Sequence, residues 1–327
     1  MCTTVAEGYS AESKSGITWY TNYEEALNQA KTTSKPLVLF FTGSDWCDWC
    51  RKLDEEALST RDFADAAGDK FVFVKLDFPL NRSADGKVIS QNKQLQKKWE
   101  VRGFPTLVIV SPNEQQIGVA GYRAGGGKAY ASYLLKMVGD YGDYKQKSQQ
   151  MGDKKLSGVD LKQLYEKANE LGLYEDANKI VRLGLDSNEK HFFQIERYRA
   201  LAQEGLVHEK EALELKKQLI AEDPKNLQHT HYDLAVIDFE AYAEEMEKEH
   251  YSPDLAVAPL VNYVDRFGDQ DSANLWRLHM IITQVYLDKD RIDQALKHAK
   301  CCQEEAPESL KPQIASIIKQ IETQQIH

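Results

Sequence analysis

An uninterrupted apolar run at residues 37–41, Leu-Val-Leu-Phe-Phe, constrains the fold of this chain most strongly. A strand without a polar residue on either face is typical of the centre of a sheet that is covered on both sides. The preceding segment predicts a helix that Thr21 or Asn22 caps and that runs to about Thr33. We therefore expect helices and strands to alternate around a buried sheet, as in an α/β domain.

The rest of the first 144 residues continues this alternation. After the apolar run, the predicted elements are a helix at 47–58, a strand at 71–76, a polar loop or inserted hairpin at 79–92, a short helix at 94–100, two antiparallel strands at 106–110 and 116–120, and a helix from the glycine triplet at 125–127 to about residue 138. This order favours a sheet of mixed direction.

Beyond about residue 144 the strand-like runs end and helical periodicity fills the chain. Small and aromatic residues there have the spacing of a tetratricopeptide repeat, namely Tyr286, Ala295, Ala299, Cys302 and Pro307. Looser copies upstream predict about four divergent helical hairpins in a short solenoid. The expected domains are a polar tether at 1–16, the α/β domain at 17–144, a linker at 145–158 and the helical repeat domain at 159–327.

Composition excludes some partners. The formal net charge is −10, which is the wrong sign for a surface that neutralises phosphates, so we expect neither nucleic acid nor an anionic membrane as a partner. No apolar stretch approaches the ~18 residues that a membrane-spanning helix needs.

The start of the sequence leaves the compartment open. It lacks the basic and apolar regions of a secretory signal, so the protein is either cytoplasmic or an exported protein whose signal has been removed. If Cys2 is the mature N-terminus, it stands where a bacterial lipoprotein carries its lipid.

The Cys-x-x-Cys pair at Cys47 and Cys50 carries the expected chemistry. A cysteine at the start of a helix lies beside unpaired amides and the positive end of the helix dipole, which stabilise its thiolate. Cys47 is therefore the predicted nucleophile, and Cys50 is near enough to resolve a mixed disulfide. Zinc is the alternative for this spacing, but no histidine occurs before His191, and Cys301 and Cys302 have the wrong spacing for zinc ligands. We expect no metal and no cofactor.

Residues around this pair resemble the thioredoxin superfamily. The sequence WCDWC at 46–50 is similar to the active-site turn of that family, and VRGFPTL at 101–107 is similar to the segment that holds its cis-proline. The resemblance implies a thioredoxin fold over about residues 17–141, with Pro105 in the cis form facing the disulfide. It also implies that Phe104 offers backbone hydrogen bonds to a substrate peptide and that Trp46 is a candidate docking residue. Trp49, which also flanks the thiols, is a candidate either for docking substrate or for covering the cleft. The run at 43–47 resembles bacterial envelope thioredoxin-like proteins, including the DsbH type.

Two positions depart from the better-known members of the family. Phe41 stands where they have a buried aspartate, so their proton relay cannot be carried over, although Lys75 is similar to its lysine partner. Asp45 and Lys75 are the candidates for proton transfer, and Asp45 is alternatively a cap of the active-site helix, while Asp54 or water could also serve. Asp48 lies between the cysteines, where a carboxylate disfavours the thiolate of Cys47 and therefore disfavours a strongly oxidising protein.

The sequence thus predicts a thiol–disulfide oxidoreductase that acts on protein disulfides, with a tendency to reduction or isomerisation and with a redox partner that exchanges electrons with it. The helical domain is expected to hold protein partners and is a candidate surface for pairing two copies of the chain. The alternatives are an interaction module of tetratricopeptide type and a redox-regulated holdase, in both of which the cysteine pair is not catalytic. By the resemblance, a periplasmic or other envelope location is expected, with the cytoplasm as the alternative.

Overall fold

The computed structural model describes residues 10–12, 16–80, 85–151, 156–249 and 252–324. By internal packing the chain divides into two compact units, residues 1–180 and 181–327. The first is an α/β unit and the second is helical throughout its described part.

A six-stranded mixed sheet forms the centre of the first unit, in the order β1-β2-β4-β3-β5-β6. The strands β2, β4 and β3 run parallel to one another. Strand β1 runs antiparallel to β2, β5 antiparallel to β3, and β6 antiparallel to β5. Their bounds are Ser10–Glu12 (β1), Thr18–Tyr20 (β2), Leu37–Thr42 (β3), Val72–Asp77 (β4), Thr106–Val110 (β5) and Gln116–Ala120 (β6).

Helices cover both faces of this sheet. The bounds of the helices up to residue 148 are Tyr23–Thr33 (α1), Asp48–Leu53 (α2), Arg61–Ala67 (α3), Gly86–Lys98 (α4) and Gly126–Ser148 (α5), and a π-helical segment at Asp54–Leu58 continues α2. Two further helices follow, Gly158–Glu170 (α6) and Tyr174–Gly184 (α7), of which α7 continues past residue 180, where the first unit ends. The α/β thioredoxin fold expected from the sequence is confirmed.

The central strand β3 is buried along its whole length, as its composition predicted. Leu37, Leu39 and Phe41 pack with α1 on one face of the sheet. Phe40 points to the other face, where its ring lies 5.9 Å from that of Trp19. Alternate side chains of one strand therefore fill two separate cores.

The prediction of a loop over residues 79–92 is wrong in its second half. Asp85 accepts a hydrogen bond from the backbone N–H of Lys87 at 2.8 Å and caps α4, which begins at Gly86. Asn92, which was expected in the loop, is fully buried in the helix and donates to the carbonyl of Asp77. The Asp-Gly pair that indicated a turn is instead a helix start.

The first unit extends past the boundary expected near residue 144. Helix α5 runs to Ser148, so part of the expected linker is helical. The turn between α6 and α7 covers the outer edge of the sheet, because Val119 of β6 donates its N–H to the carbonyl of Leu171 at 3.0 Å. The side chain of Gln116 donates to the carbonyl of Gly172 at 2.7 Å. Of the expected tether, residues 10–12 form β1, and residues 1–9 and 13–15 lie outside the described residues.

The second unit consists of packed helices. Their bounds are Lys190–Gln203 (α8), Lys210–Glu222 (α9), Thr230–Glu249 (α10), Pro253–Phe267 (α11), Ser272–Leu287 (α12), Ile292–Glu305 (α13) and Lys311–Gln324 (α14). Neighbours in sequence pack on one another, α8 on α9, α10 on α11 and α12 on α13. The small residues Ala212, Ala256 and Ala295, one on each of α9, α11 and α13, are fully buried.

Candidate active site

Cys47 and Cys50 form a disulfide at the start of α2, with their Cα atoms 5.2 Å apart. Cys47 is the N-cap of that helix, and its Sγ accepts the backbone N–H of Cys50 at 3.2 Å. Cys47 is 7% exposed and Cys50 is 1% exposed. The cysteine beside the helix amides is therefore the slightly more exposed of the two, although both residues are buried.

The loop that leads to the disulfide is hydrogen-bonded to the residues at and after the end of β4. Asp77 accepts both the backbone N–H and the hydroxyl of Ser44, at 2.9 and 2.6 Å. The indole N–H of Trp46 donates to the carbonyl of Phe78 at 2.8 Å. These contacts join residues more than 30 positions apart in the chain and fix the approach to Cys47.

Asp45 belongs to the same set of contacts. Its carboxylate accepts the backbone N–H of Leu80 at 3.1 Å. The expectation that Asp45 caps the active-site helix is wrong, because the cap is Cys47 itself. Asp45 positions the loop against the segment that follows β4.

An aromatic cluster, consisting of Trp46, Phe78 and Phe104, lies beside this loop. Phe104 is 5.6 Å from Trp46 and 5.2 Å from Phe78 between ring centroids, in edge-to-face arrangements. Gly43 allows this packing, because a Cβ there would lie 2.6 Å from Cζ2 of Trp46. Trp46 remains 40% exposed, so part of the residue faces solvent.

The Phe104–Pro105 peptide bond is cis and directly precedes β5. Since β5 is antiparallel to β3, its first residue, Thr106, lies opposite Phe41 near the carboxyl end of β3. The cysteine loop leaves the sheet from that same end. The structure therefore places the two segments that resemble the thioredoxin family at the same end of the sheet, although Cys50 and Pro105 are 55 positions apart in the sequence.

Trp49, between the cysteines, is 55% exposed and is held from outside the loop. The ring of Tyr122 lies 5.0 Å from its indole, and the ammonium of Lys52 lies 4.9 Å above it. The hydroxyl of Tyr122 donates to Glu56 at 2.7 Å, and this hydrogen bond raises the pKa of the phenol. Tyr122, just after β6, and Asp77 are residues that the sequence analysis missed.

The ammonium of Lys75 pairs with the carboxylate of Asp54, at 3.2 Å. Ser59 donates its hydroxyl to the other oxygen of Asp54 at 2.6 Å. Lys75 pairs in register with Phe40 and not with Phe41, so it points to the opposite face of the sheet from Phe41. The two candidates for proton transfer thus lie in different surroundings.

Within the described part of the chain, no group of three or more histidine, cysteine or acidic side chains is arranged to hold a metal ion. No helix described there is long and apolar enough to cross a membrane. Cys302 is buried, which raises the pKa of its thiol to about 11, with a smaller effect from Cys301. That environment favours a packing role for Cys302 over a reactive one.

The fold, the disulfide at a helix start and the cis-proline beside it define a thiol–disulfide oxidoreductase of the thioredoxin superfamily. A family model described as a thioredoxin-like domain matches residues 23–127. Thioredoxin-related protein DsbJ of Chlamydia pneumoniae is 32% identical over 314 residues, which cover 94% of this chain and 88% of that protein. This chain belongs to the family of thioredoxin-related proteins that includes DsbJ.

Two further matches cover shorter parts of the chain. Disulfide bond reductase DsbH of Chlamydia pneumoniae is 39% identical over 111 residues, which cover 34% of this chain and 67% of that protein. A solved structure of a DsbH oxidoreductase is 33% identical, with a TM-score of 0.36, and the match covers 42% of this chain and 92% of that chain.

Proposed function

We propose that this protein reduces or isomerises disulfides in other proteins, with Cys47 as the nucleophile and Cys50 as the resolving cysteine. The observation that carries the proposal is the place of Cys47 at the start of α2, where it is the N-cap and its Sγ accepts a helix amide, while Cys50 is the more deeply buried residue, 1% exposed against 7%. The name of the relative DsbH, a disulfide bond reductase, supports the direction of the reaction.

The proposed reaction starts from the dithiol form. The thiolate of Cys47 attacks one sulfur of a substrate disulfide, forms a mixed disulfide and releases the other substrate sulfur as a thiolate, which takes a proton. Cys50 loses its proton and attacks Sγ of Cys47, so that the second substrate sulfur leaves. The products are a substrate dithiol and the Cys47–Cys50 disulfide, and a dithiol redox partner supplies two electrons to regenerate the enzyme.

Substrate binding is proposed for the surface around the disulfide. Trp46 and Trp49 are exposed on two sides of the cysteines, and the Phe104–Pro105 segment precedes the strand that pairs with β3. An extended peptide can lie across these indoles and bind the backbone at Phe104. Asp54 and Lys75, paired beside the active-site helix, are proposed to assist proton transfer, and Asp45 to position the loop.

The helical unit is proposed to hold partners as a repeat domain of tetratricopeptide type, on the support of its sequentially packed helices. Pairing of two copies through this unit is part of the proposal. We further propose an envelope location, where protein disulfides persist and need reduction or rearrangement. Cys2, the candidate lipid position, lies outside the described residues.

Reduction of insulin with dithiothreitol as electron donor tests the proposal. We expect the wild type to accelerate precipitation of the insulin B chain, Cys47→Ser to abolish the acceleration, and the control Cys301→Ser to retain it. The variant Cys50→Ala should strand substrates from a native extract as mixed disulfides on Cys47. No acceleration by the wild type together with no trapped protein would leave an interaction module or holdase as the function.

A further inference from the structure

A cavity of about 180 Å³ lies among α9, α10 and α11 in the second unit. All of its lining residues come more than 160 positions after Cys50 in the sequence. Its apolar lining includes Leu234 and Ala235 of α10, which are 2% and 7% exposed. Its polar lining includes Lys216, His231 and Arg266. This volume is well above the roughly 10–15 Å³ that one water molecule needs, so the cavity has room for a small occupant.

The acidic residue in this cavity already has partners. The carboxylate of Asp238, whose side chain is 5% exposed, accepts the hydroxyl of Tyr198 and the ammonium of Lys216, both at 2.5 Å. These two contacts satisfy the buried charge of Asp238 from within the protein. An occupant of the cavity is therefore not needed to neutralise an anion there.

The cation Arg266 has a different environment. It is exposed, and its guanidinium carbon lies 4.9 Å from the ring centroid of Phe267, so the aromatic face holds it beside the cavity. In the described ranges of the chain, no carboxylate forms an ion pair with it. Stacking on a ring leaves the N–H groups at the edge of a guanidinium able to donate to a planar anion.

His231 adds a hydrogen-bond acceptor to the lining. Its Nε2 lies 3.0 Å from the carbonyl of Asp223, which can only accept, so Nε2 carries a proton. Burial, and then the charge of Arg266, lower the pKa of His231 and keep the ring neutral. Its Nδ1 therefore has a lone pair that can accept an N–H from an occupant.

We propose that this cavity binds a carboxylate carried on a small apolar group, with the carboxylate on Arg266 and the apolar group against Leu234 and Ala235. A free organic acid and the C-terminal residue of a polypeptide share this chemistry. The site is independent of the proposed reaction at Cys47 and Cys50, and its occupation requires no redox change.

N-acetyl-leucine is the probe, because it offers a carboxylate, one amide N–H and one apolar side chain. N-acetyl-leucinamide, which has the same shape without the charge, is its matched control. We expect the acid to bind at least about tenfold more tightly than the amide, since hydrogen bonds to a charged group are the stronger ones. Methyl resonances of Leu234 and Ala235 should shift on titration of the full-length protein.

The variant Arg266→Gln should weaken binding of the acid by about tenfold or more without affecting the amide. Arg277→Gln is the control, because Arg277 also stacks on an aromatic neighbour, Trp276, at 4.8 Å. Circular dichroism verifies that each variant is folded. Equal binding of acid and amide, equal binding by Arg266→Gln and wild type, or no shift of the two methyl resonances would each overturn the proposal.

A longer peptide that ends in leucine distinguishes the two sources of the carboxylate. Tighter binding of the peptide than of N-acetyl-leucine supports a chain terminus as the occupant, and equal binding supports a free acid.

Discussion

The close contact between Gly43 and Trp46 gives a quantitative prediction about the loop before Cys47. A Cβ added at Gly43 would lie 2.6 Å from Cζ2 of the indole, so Gly43→Ala must displace Trp46. The displaced ring loses its hydrogen bond to Phe78 and its contact with Phe104. At about 1 kcal/mol for each of these, the expected loss of unfolding free energy is about 2 kcal/mol.

A double-mutant cycle isolates this contact. Trp46→Ala removes the same interactions, and the alanine at position 43 then meets no indole. In the Trp46→Ala background, Gly43→Ala should therefore leave the unfolding free energy almost unchanged. The coupling energy between the two substitutions is then about 2 kcal/mol. Urea unfolding followed by circular dichroism measures all four proteins, with the disulfide kept oxidised.

Gly139→Ala is the matched control for the cycle, because a Cβ there meets no atom within 4 Å. It lies inside α5, where alanine is favoured over glycine, so the variant should be as stable as the wild type or up to about 1 kcal/mol more stable. Additive effects of Gly43→Ala and Trp46→Ala, with a coupling energy below about 0.5 kcal/mol, would refute the steric argument.

Three further predictions follow from single sites. Cys47 in the reduced protein should titrate above about pH 5, outside the range of strong oxidants, and Asp48→Asn should lower its pKa, as followed by thiolate absorbance. Burial lowers the pKa of His298 to about 4 and also lowers that of His279, whose Nδ1 lies 3.0 Å from Nδ1 of His298. The unfolded chain therefore takes up protons before the folded one as the pH falls below about 6.5, so the folded state loses stability. Urea unfolding at pH 5 should show an unfolding free energy about 1 kcal/mol lower than at neutral pH, after allowance for partial exposure, and His298→Gln should diminish this loss. Gly172→Ala should cost about 1–2 kcal/mol in thermal unfolding, because Gly172 has a φ of +69° and its Cβ would lie 3.0 Å from that of Val119.

The elements that were predicted correctly are those whose signal is local in the sequence. The cap at Asn22, the buried strand at 37–42 and the antiparallel hairpin at 106–120 follow from capping, hydrophobic pattern and turn residues. The start of α4 was missed because Asp85-Gly86 is compatible with both a turn and a helix cap. A local pattern does not distinguish a turn from a helix start here, because the group that the helix contacts, the carbonyl of Asp77 at the end of β4, is distant in the sequence from Asp85-Gly86 and is not part of that pattern.

The sequence predicted the reactive residues of the candidate site but not the residues that hold them in place. Cys47, Cys50 and Pro105 are recognisable from motifs, since their chemistry requires particular residue types at fixed spacing. Asp77 holds Ser44 from 33 positions further along the chain, and Tyr122 packs on Trp49 from 73 positions further along. No periodicity links such pairs, so only the register of β3, β4 and β6 brings them together.

Strand register determines which carboxylate can pair with Lys75, a question that its position in the sequence leaves open. Counting back six residues from Cys47 leads to Phe41, but Phe41 pairs with Leu76 and packs on the α1 side of the sheet. Lys75 pairs with Phe40 and lies on the other side, where its carboxylate partner is Asp54, one helical turn beyond Cys50. A carboxylate at position 41 would point away from Lys75 into the apolar core around α1. The acidic partner of Lys75 therefore comes from the segment that continues the active-site helix, so any movement of that helix on reduction changes the ion pair as well as the position of Cys50.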